Sequence, residues 1–256
     1  MLHQILTYLK WLPKTFHLHG IHSPFVFSFE KECLKDTPNQ NIYHLLLKYR
    51  NTLLKNDQII SVTDYGAGSR VFSSNKRPVK KIARYAGASI KRMQLIYSIT
   101  NYFSSKNILE IGTSLGMGTI ALALNSNSKV ISLEGCPATA QIAKTQLQHF
   151  NINNVNIIIG EFRESIKKQH SKQFDLVYFD GNHSKEATLQ YAQDLLPTIT
   201  NETIWVFDDI HWSSEMTKAW NLIKDFSEVT VTIDCFWVGF VFFRKEQHKE
   251  HFAIKL

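Results

Sequence analysis

Five places in this chain set a carboxylate at the end of a short apolar run: Glu110, Glu134, Glu161, Asp180 and the pair Asp208-Asp209. Packing alone does not require acids at all five. A carboxylate can accept hydrogen bonds from hydroxyls or amines, hold a divalent cation, or take a proton. Two histidines follow the last two places, His183 after Asp180 and His211 after the aspartate pair. A neutral imidazole near pH 7 can remove a proton from a hydroxyl. An isolated loop histidine is more often only hydrogen-bonded in place, and it is the position at these two ends that singles both out. Lys185 is a weaker candidate base.

The densest signal is residues 107–125, NILEIGTSLGMGTIALALN. Small residues at Gly112, Thr113, Ser114, Gly116 and Gly118 separate an apolar strand from an apolar helix. Such a turn lets a ligand approach the backbone and the helix N-terminus. Glu110 beside it argues against a phosphate-only ligand and for a cationic or hydroxylated one. Glu134 lies 24 residues after Glu110. Doubly wound folds place an acid there to hold ribose hydroxyls, the alternative being a helix-capping acid before Pro137. Glu161 and Phe162 would suit an adenine, one as polar edge partner and one as aromatic face. Each taken alone is more often a surface acid and a core phenylalanine.

These residues need a frame. Apolar runs at 108–111, 129–133, 155–159, 174–179 and 203–207 read as strands, alternating with helices at 119–124, 137–150, 162–169, 185–196 and 214–225. Runs apolar on both faces imply a parallel sheet covered by helices on both sides. Ligands then bind beyond the carboxyl ends of the strands, where the acids sit. Two more strands, 229–233 and 237–244, are too close for a crossover and must be antiparallel. Asp180, Asp208 and Asp209 fall on neighbouring strand tips roughly 4.8 Å apart. Three carboxylates that close repel unless a cation joins them or one is protonated. Mg²⁺ or Mn²⁺ would suit the oxygen ligands, although the same acids could bind an amine or a substrate hydroxyl.

Residues 1–100 lack this rhythm. Helices at 42–54 and 80–102 alternate with aromatic and glycine-bearing loops. The chain therefore divides into a helical or lid appendage, 1–79, and an α/β domain, 80–256. His17, His19 and His22 cluster with aromatics as a lid or dimer contact, at spacings that make a poor metal signature. A second glycine-bearing turn, Asp64-Tyr65-Gly66-Ala67-Gly68-Ser69, is followed by polar and basic residues instead of an apolar helix. It reads as a loop over the substrate or as an ordinary turn.

The chain has 256 residues, 44% of them hydrophobic, enough for one large domain with a substantial core. Three widely spaced cysteines, Cys33, Cys136 and Cys235, offer no disulfide framework, which fits a reducing cytoplasm. The apolar start of the chain is broken by Lys10, Pro13 and Lys14. It is too short for an integral membrane segment and reads as a packing helix ahead of a peripheral membrane role. The net charge is +7, part of it in the run 76–92. That run could attract an acidic substrate or RNA, or form a solvated helix face.

The pattern ILEIGTSLGMGT, SLEG, GEF, DLVYFDGNH, WVFDDIHW, spanning about residues 80–245, resembles the class I S-adenosylmethionine-dependent methyltransferases. It is closest in style to the catechol, caffeoyl-CoA and sugar O-methyltransferases. The resemblance implies a doubly wound, Rossmann-like seven-stranded sheet, mostly parallel with a terminal antiparallel strand. It implies that Glu110, Gly112, Ser114 and Gly116, with Thr113 in the same turn, line the methionine part of S-adenosylmethionine. Glu134, with Gly135, would hold the ribose, and Glu161 and Phe162 would flank the adenine. Asp180 would touch cofactor and acceptor, His183 or His211 would take the proton, and Asp180, Asp208 and Asp209 would hold a divalent cation. Ser114 stands where the family usually has a glycine, Asp209 where catechol-type enzymes often have asparagine, and His183 where they carry a lysine. The expected activity is O-methylation of a small-molecule or sugar hydroxyl, with a divalent cation as an open question. An RNA methyltransferase is the alternative, but no NPPY-like tetrad or catalytic-cysteine motif is present, and a nucleic acid partner is not expected. A non-catalytic S-adenosylmethionine-binding protein is the other. A homodimer is compatible with all three.

Overall fold

The computed structural model describes residues 2–17, 20–36, 38–63, 74–125 and 127–256. The turn at 64–69 and His19 lie outside the described residues. The fold begins with α1 (Leu2–Trp11), α2 (Pro24–Phe29), which runs on into a wider π turn, and α3 (Gln40–Leu54). Ser23 starts α2 by accepting from the Val26 N–H, and Asn39 starts α3 by accepting from the Ile42 N–H. A short antiparallel pair, β1 (Ile59–Ser61) and β2 (Lys76–Pro78), leads to α4 (Val79–Tyr85) and α5 (Ile90–Tyr102).

The helix expected over 80–102 is thus two helices. The break falls at Gly87, where a Cβ would lie 2.6 Å from the Ala83 carbonyl oxygen and 2.7 Å from the Met117 sulfur. Ser89 restarts the helix by accepting from the Arg92 N–H. This restart sets the direction of α5 and carries Arg92 toward the sheet.

The sheet is built from β3 (Asn107–Ile111), β4 (Lys129–Glu134), β5 (Val155–Ile159), β6 (Leu176–Phe179), β7 (Ile204–Asp208), β8 (Val231–Asp234), β9 (Val238–Phe242) and β10 (Glu250–Ala253). Their order is β10-β8-β9-β7-β6-β3-β4-β5. Strands β3 to β7 are parallel, and β9 inserts antiparallel between β7 and β8. The α/β architecture is the expected one, with eight strands in place of seven. The extra strand, β10, pairs parallel to β8 at the edge.

Helices α6 (Met117–Ala123), α7 (Pro137–His149), α8 (Phe162–Lys167), α9 (Lys185–Leu195) and α10 (Ser214–Lys224) cover the two faces. Strands β6 to β9 are buried at every position, as runs apolar on both faces require. Val26, Phe29, Leu46 and Tyr49 share one buried cluster with Ile108, Ile120 and Phe240, so the N-terminal helices pack into the core of the α/β unit. On the other face Leu109 and Ile111 pack with Tyr191, Leu195 and Trp220. The reading of the first helix as a packing helix holds for one side only: Trp11 is buried, but Leu2, Ile5, Leu6 and Leu9 are exposed. All three cysteines are buried and free. Among the described residues no helix is long and apolar enough to cross a membrane.

Candidate functional site

The carboxyl ends of β3, β4 and β6 surround a cavity of about 270 Å³. Gly112, Ser114, Glu134, Gly135, Phe162, Asp180 and His183 line it together, as do Trp212, Thr63 and Arg77. A larger depression, about 970 Å³, lies at the opposite ends of the strands and is lined mainly by asparagine, serine and lysine. Parallel sheets bind ligands at their carboxyl ends, so the smaller cavity is the functional candidate.

The turn after β3 is shaped by two unusual backbone positions. Gly112 has φ +105°, and a Cβ there would collide with the Asp180 carbonyl oxygen. Only glycine lets the tips of β3 and β6 approach this closely. Ser114 takes φ +48°, which aims its N–H at Glu134 Oε2, 2.6 Å away. Glu134 Oε1 accepts from the Cys136 N–H at 2.8 Å. Glu134 therefore joins the turn to the start of α7 and still faces the cavity. Burial raises its pKa, against the pull of those N–H groups.

Glu110, Thr113 and Gly116 do not line the cavity. Glu110 faces the layer beneath the turn and is fully enclosed, accepting from the Thr119 and Ser132 hydroxyls, both at 2.5 Å. The Thr113 hydroxyl contacts that of Ser132, and Gly116 begins α6. The period-two alternation of β3 explains the placement, since Glu110 shares a face with Ile108 and not with the cavity. Burial pushes Glu110 up to about 7. Between the unfolded value near 4.5 and about 7 the folded chain binds the extra proton, so stability falls as pH rises through that window. Glu110→Gln keeps the shape without the charge. We expect it to leave the melting temperature unchanged at pH 4 and to stabilise the fold by about 1–3 kcal/mol at pH 8. Calorimetric melts at the two pH values measure this, and equal effects at both would contradict the burial argument.

Glu161 is likewise absent from the cavity. Its carboxylate accepts from the Arg163 and Glu164 N–H groups, both at 3.0 Å, and caps α8. Phe162 beside it does reach the cavity, its ring against Gly181 and edge-on to Tyr191. Of the expected adenine pair only the aromatic face is in place.

At the other side of the cavity, Asp180 Oδ1 lies 3.7 Å from His183 Nε2. Burial, then the nearby Asp208 and Asp209, push Asp180 well above the usual carboxylate range, with Arg92 opposing them. His211 is elsewhere. Asp209 adopts φ +53° and turns the chain so that Trp212 reaches the cavity, while His211 is buried on the far side. There His211 Nε2 is 2.9 Å from Asp234 Oδ2 and its Nδ1 is 3.1 Å from the Thr217 hydroxyl. The structure thus withdraws His211 from the acceptor side.

Residues 109–210 match the family model described as a methyltransferase domain. This chain carries a class I S-adenosylmethionine-dependent methyltransferase domain. Over 77 residues it is 36% identical to the ribosomal protein L11 methyltransferase of Prochlorococcus marinus strain AS9601, covering 29% of this chain and 25% of that protein. The aligned part thus spans about a quarter of the length of the curated relatives it matches. Among solved structures, a Podospora anserina methyltransferase bound to SAH superposes with a TM-score of 0.62 at 13% identity, covering 88% of this chain and 97% of that one. An O-methyltransferase from Bacillus cereus in complex with SAH gives 0.55 at 18% identity, covering 85% and 97%. At these identities the likeness is one of fold.

The residues of the methyltransferase domain fit S-adenosylmethionine. Glu134 offers a fixed carboxylate and Phe162 a ring face within one cavity. They do not fit the divalent cation expected at Asp180, Asp208 and Asp209. Arg92 lies there instead, its Nη1 2.7 Å from Asp208 Oδ2 and its Nη2 2.7 Å from Asp209 Oδ1. The guanidinium also sits over the Trp237 ring, 5.0 Å from its centroid. Tyr178 donates to Asp208 Oδ2 at 3.1 Å, and the Asp209 N–H donates to Asp208 Oδ1 at 2.9 Å. Burial, then Asp209, raise Asp208 to about 6 while Arg92 pulls it down. Burial works against the Arg92 charge, but the aspartates outweigh it and raise the arginine further above its ordinary value. Among the described residues no group of three or more His, Cys, Asp or Glu could hold a metal. The repulsion noted between these acids is relieved by a covalently attached cation. Arg92 and Trp212 are the functional-site residues that strand-tip reasoning missed.

Proposed function

We propose that this chain transfers the methyl group of S-adenosylmethionine to a hydroxyl oxygen of a small molecule or sugar, with Arg92 in the place of a divalent cation. The observation that carries this is one cavity joining two chemistries. Glu134, Phe162 and the Gly112 turn form one side, and Asp180, His183 and Trp212 the other. Bound S-adenosylmethionine supplies an activated methyl on a sulfonium leaving group. The chain must align the acceptor and remove its proton. His183 takes the hydroxyl proton as the oxygen–methyl bond forms and the sulfur–methyl bond breaks. Asp180, 3.7 Å from His183 Nε2, positions the imidazole. Trp212, its ring centroid 6.1 Å from that of His183, closes the acceptor side.

Part of the basic run is already engaged: Arg77 is buried, Lys80 pairs with Asp57, and Arg92 is held by Asp208 and Asp209. Calorimetry with SAH, then methyl transfer from S-adenosylmethionine to a panel of phenols, catechols and sugars in chelator, tests the proposal. We expect SAH to bind and at least one hydroxyl acceptor to be methylated in chelator. No heat at millimolar SAH would remove the enzyme reading, and transfer that stops in chelator would remove the role given to Arg92.

A further inference from the structure

Helix α1 packs one side against the body and leaves a second, apolar side exposed. Its face toward the body carries His3, Thr7, Tyr8 and Trp11, with His3 Nε2 3.1 Å from the Thr217 hydroxyl and both aromatic rings against Phe236. Its outward face carries Leu2, Ile5, Leu6 and Leu9, each between 49% and 71% exposed. The spacing i, i+3, i+4, i+7 makes these one continuous apolar stripe. An amphipathic helix normally turns that stripe inward.

Behind α1 lies a cavity of about 450 Å³, separate from the methyl-transfer site. Lys10 and Lys14 from the first segment, Lys224 at the end of α10 and His251 on β10 all line it. Among the described residues none of these three lysines has a salt bridge. The one acid lining the cavity is Asp234. It is already used: Oδ2 meets His211 Nε2 and the Trp220 indole N–H, and Oδ1 accepts from the Phe236 N–H. Burial lowers the pKa of Lys224 and Lys14 adds to that, against the pull of Asp234 and Asp225. Three lysines therefore share a cavity whose one lining acid is already hydrogen-bonded, a setting that favours an anion.

We propose that α1 seats this protein on a membrane surface rich in anionic phospholipid. The apolar stripe enters the boundary between headgroups and acyl chains, and lipid phosphates meet Lys10 and Lys14, which are exposed at the rim of the cavity beside it. Charge complementarity selects this occupant over a second copy of the chain. A two-fold contact through the same stripe would bring two unpaired lysine clusters together, whereas anionic headgroups neutralise them. The proposal does not depend on the methyl acceptor.

Flotation with vesicles tests it, using phosphatidylcholine alone and phosphatidylcholine with roughly one-third phosphatidylglycerol. The whole chain should float with the anionic vesicles and not with the neutral ones, and salt should release it. The double variant L6D/L9D should lose binding. The double variant K10E/K14E should weaken it at least about tenfold. All four positions are exposed or on the cavity rim, so SAH affinity and melting temperature should stay as in the parent. Equal flotation with both vesicles would overturn the electrostatic part. No flotation would overturn the proposal, whether light scattering then finds a dimer dissolved by L6D/L9D or inorganic phosphate alone binds to the lysines.

Discussion

Replacing Arg92 by methionine is expected to destabilise the fold by about 3–5 kcal/mol at pH 8 and to create a response to Mn²⁺ that the parent lacks. Methionine keeps the length that packs against Trp237 and removes the charge. Asp208, 2% exposed, would then sit beside Asp209 with no cation against either. Removing one partner of a buried ion pair costs more than the pair contributes, because a desolvated charge is left behind. Two conditions should restore part of the loss. At pH 5 a carboxylate whose folded pKa is raised stays protonated, so the variant should lose less there than at pH 8, where the charge must be carried. Mn²⁺ should stabilise the variant, because Asp180, Asp208 and Asp209 would then offer oxygen ligands without a resident guanidinium. Denaturant titrations at both pH values, with Mn²⁺ or with chelator, measure each effect. A parent protein stabilised by Mn²⁺ would show that the guanidinium yields to a metal and would overturn the assignment.

The second large effect is on cofactor affinity. Glu134→Ala is expected to weaken SAH binding about 10–100-fold, equivalent to about 1.4–2.8 kcal/mol. The carboxylate is fixed by the Ser114 and Cys136 N–H groups, so it is preorganised to accept from ribose hydroxyls at little further entropic cost. Because the same contacts tie the turn to α7, the melting temperature should fall as well. The two consequences separate in calorimetry: a lowered melting temperature with unchanged SAH affinity would leave Glu134 a helix cap and nothing more. Affinity in the parent should also fall as acid protonates this carboxylate, whose pKa is raised by burial.

How far these residues could be read from the sequence varies with the distance over which each is positioned. Strands β3 to β9 were legible because each is a short apolar run bounded by turn residues, a local signal. β10 was not, because Glu250-His251-Phe252-Ala253 has the mixed composition of an edge strand. The strands of β1 and β2, three residues each, are too short to show a period. In the site, Gly112, Ser114, Glu134, Phe162, Asp180 and His183 meet because each belongs to a strand tip or the residues just after it. Glu161 shows the limit of that rule. An acid at the start of a helix has two backbone N–H donors within reach, here those of Arg163 and Glu164. His211 was misplaced by one residue's backbone, the left-handed Asp209. Arg92 was hidden for a different reason. It reads as one more member of a basic run, and nothing local says that a break at Gly87 will carry it to acids 116 and 117 positions later.

The seat of α1 has a consequence for how the chain is made. The Phe16 N–H donates to the Ala253 carbonyl at 2.8 Å, and the cavity behind α1 is closed by residues 251–253. Synthesis runs toward the C-terminus at roughly 5–20 residues per second, so residues 2–16 emerge well before the residues they pack against. For about 10–50 s the helix with Leu2, Ile5, Leu6 and Leu9 has neither Thr217 nor Phe236 to dock against. During that interval its apolar stripe is available to any hydrophobic surface near the ribosome, and the order of translation itself gives that surface the first opportunity.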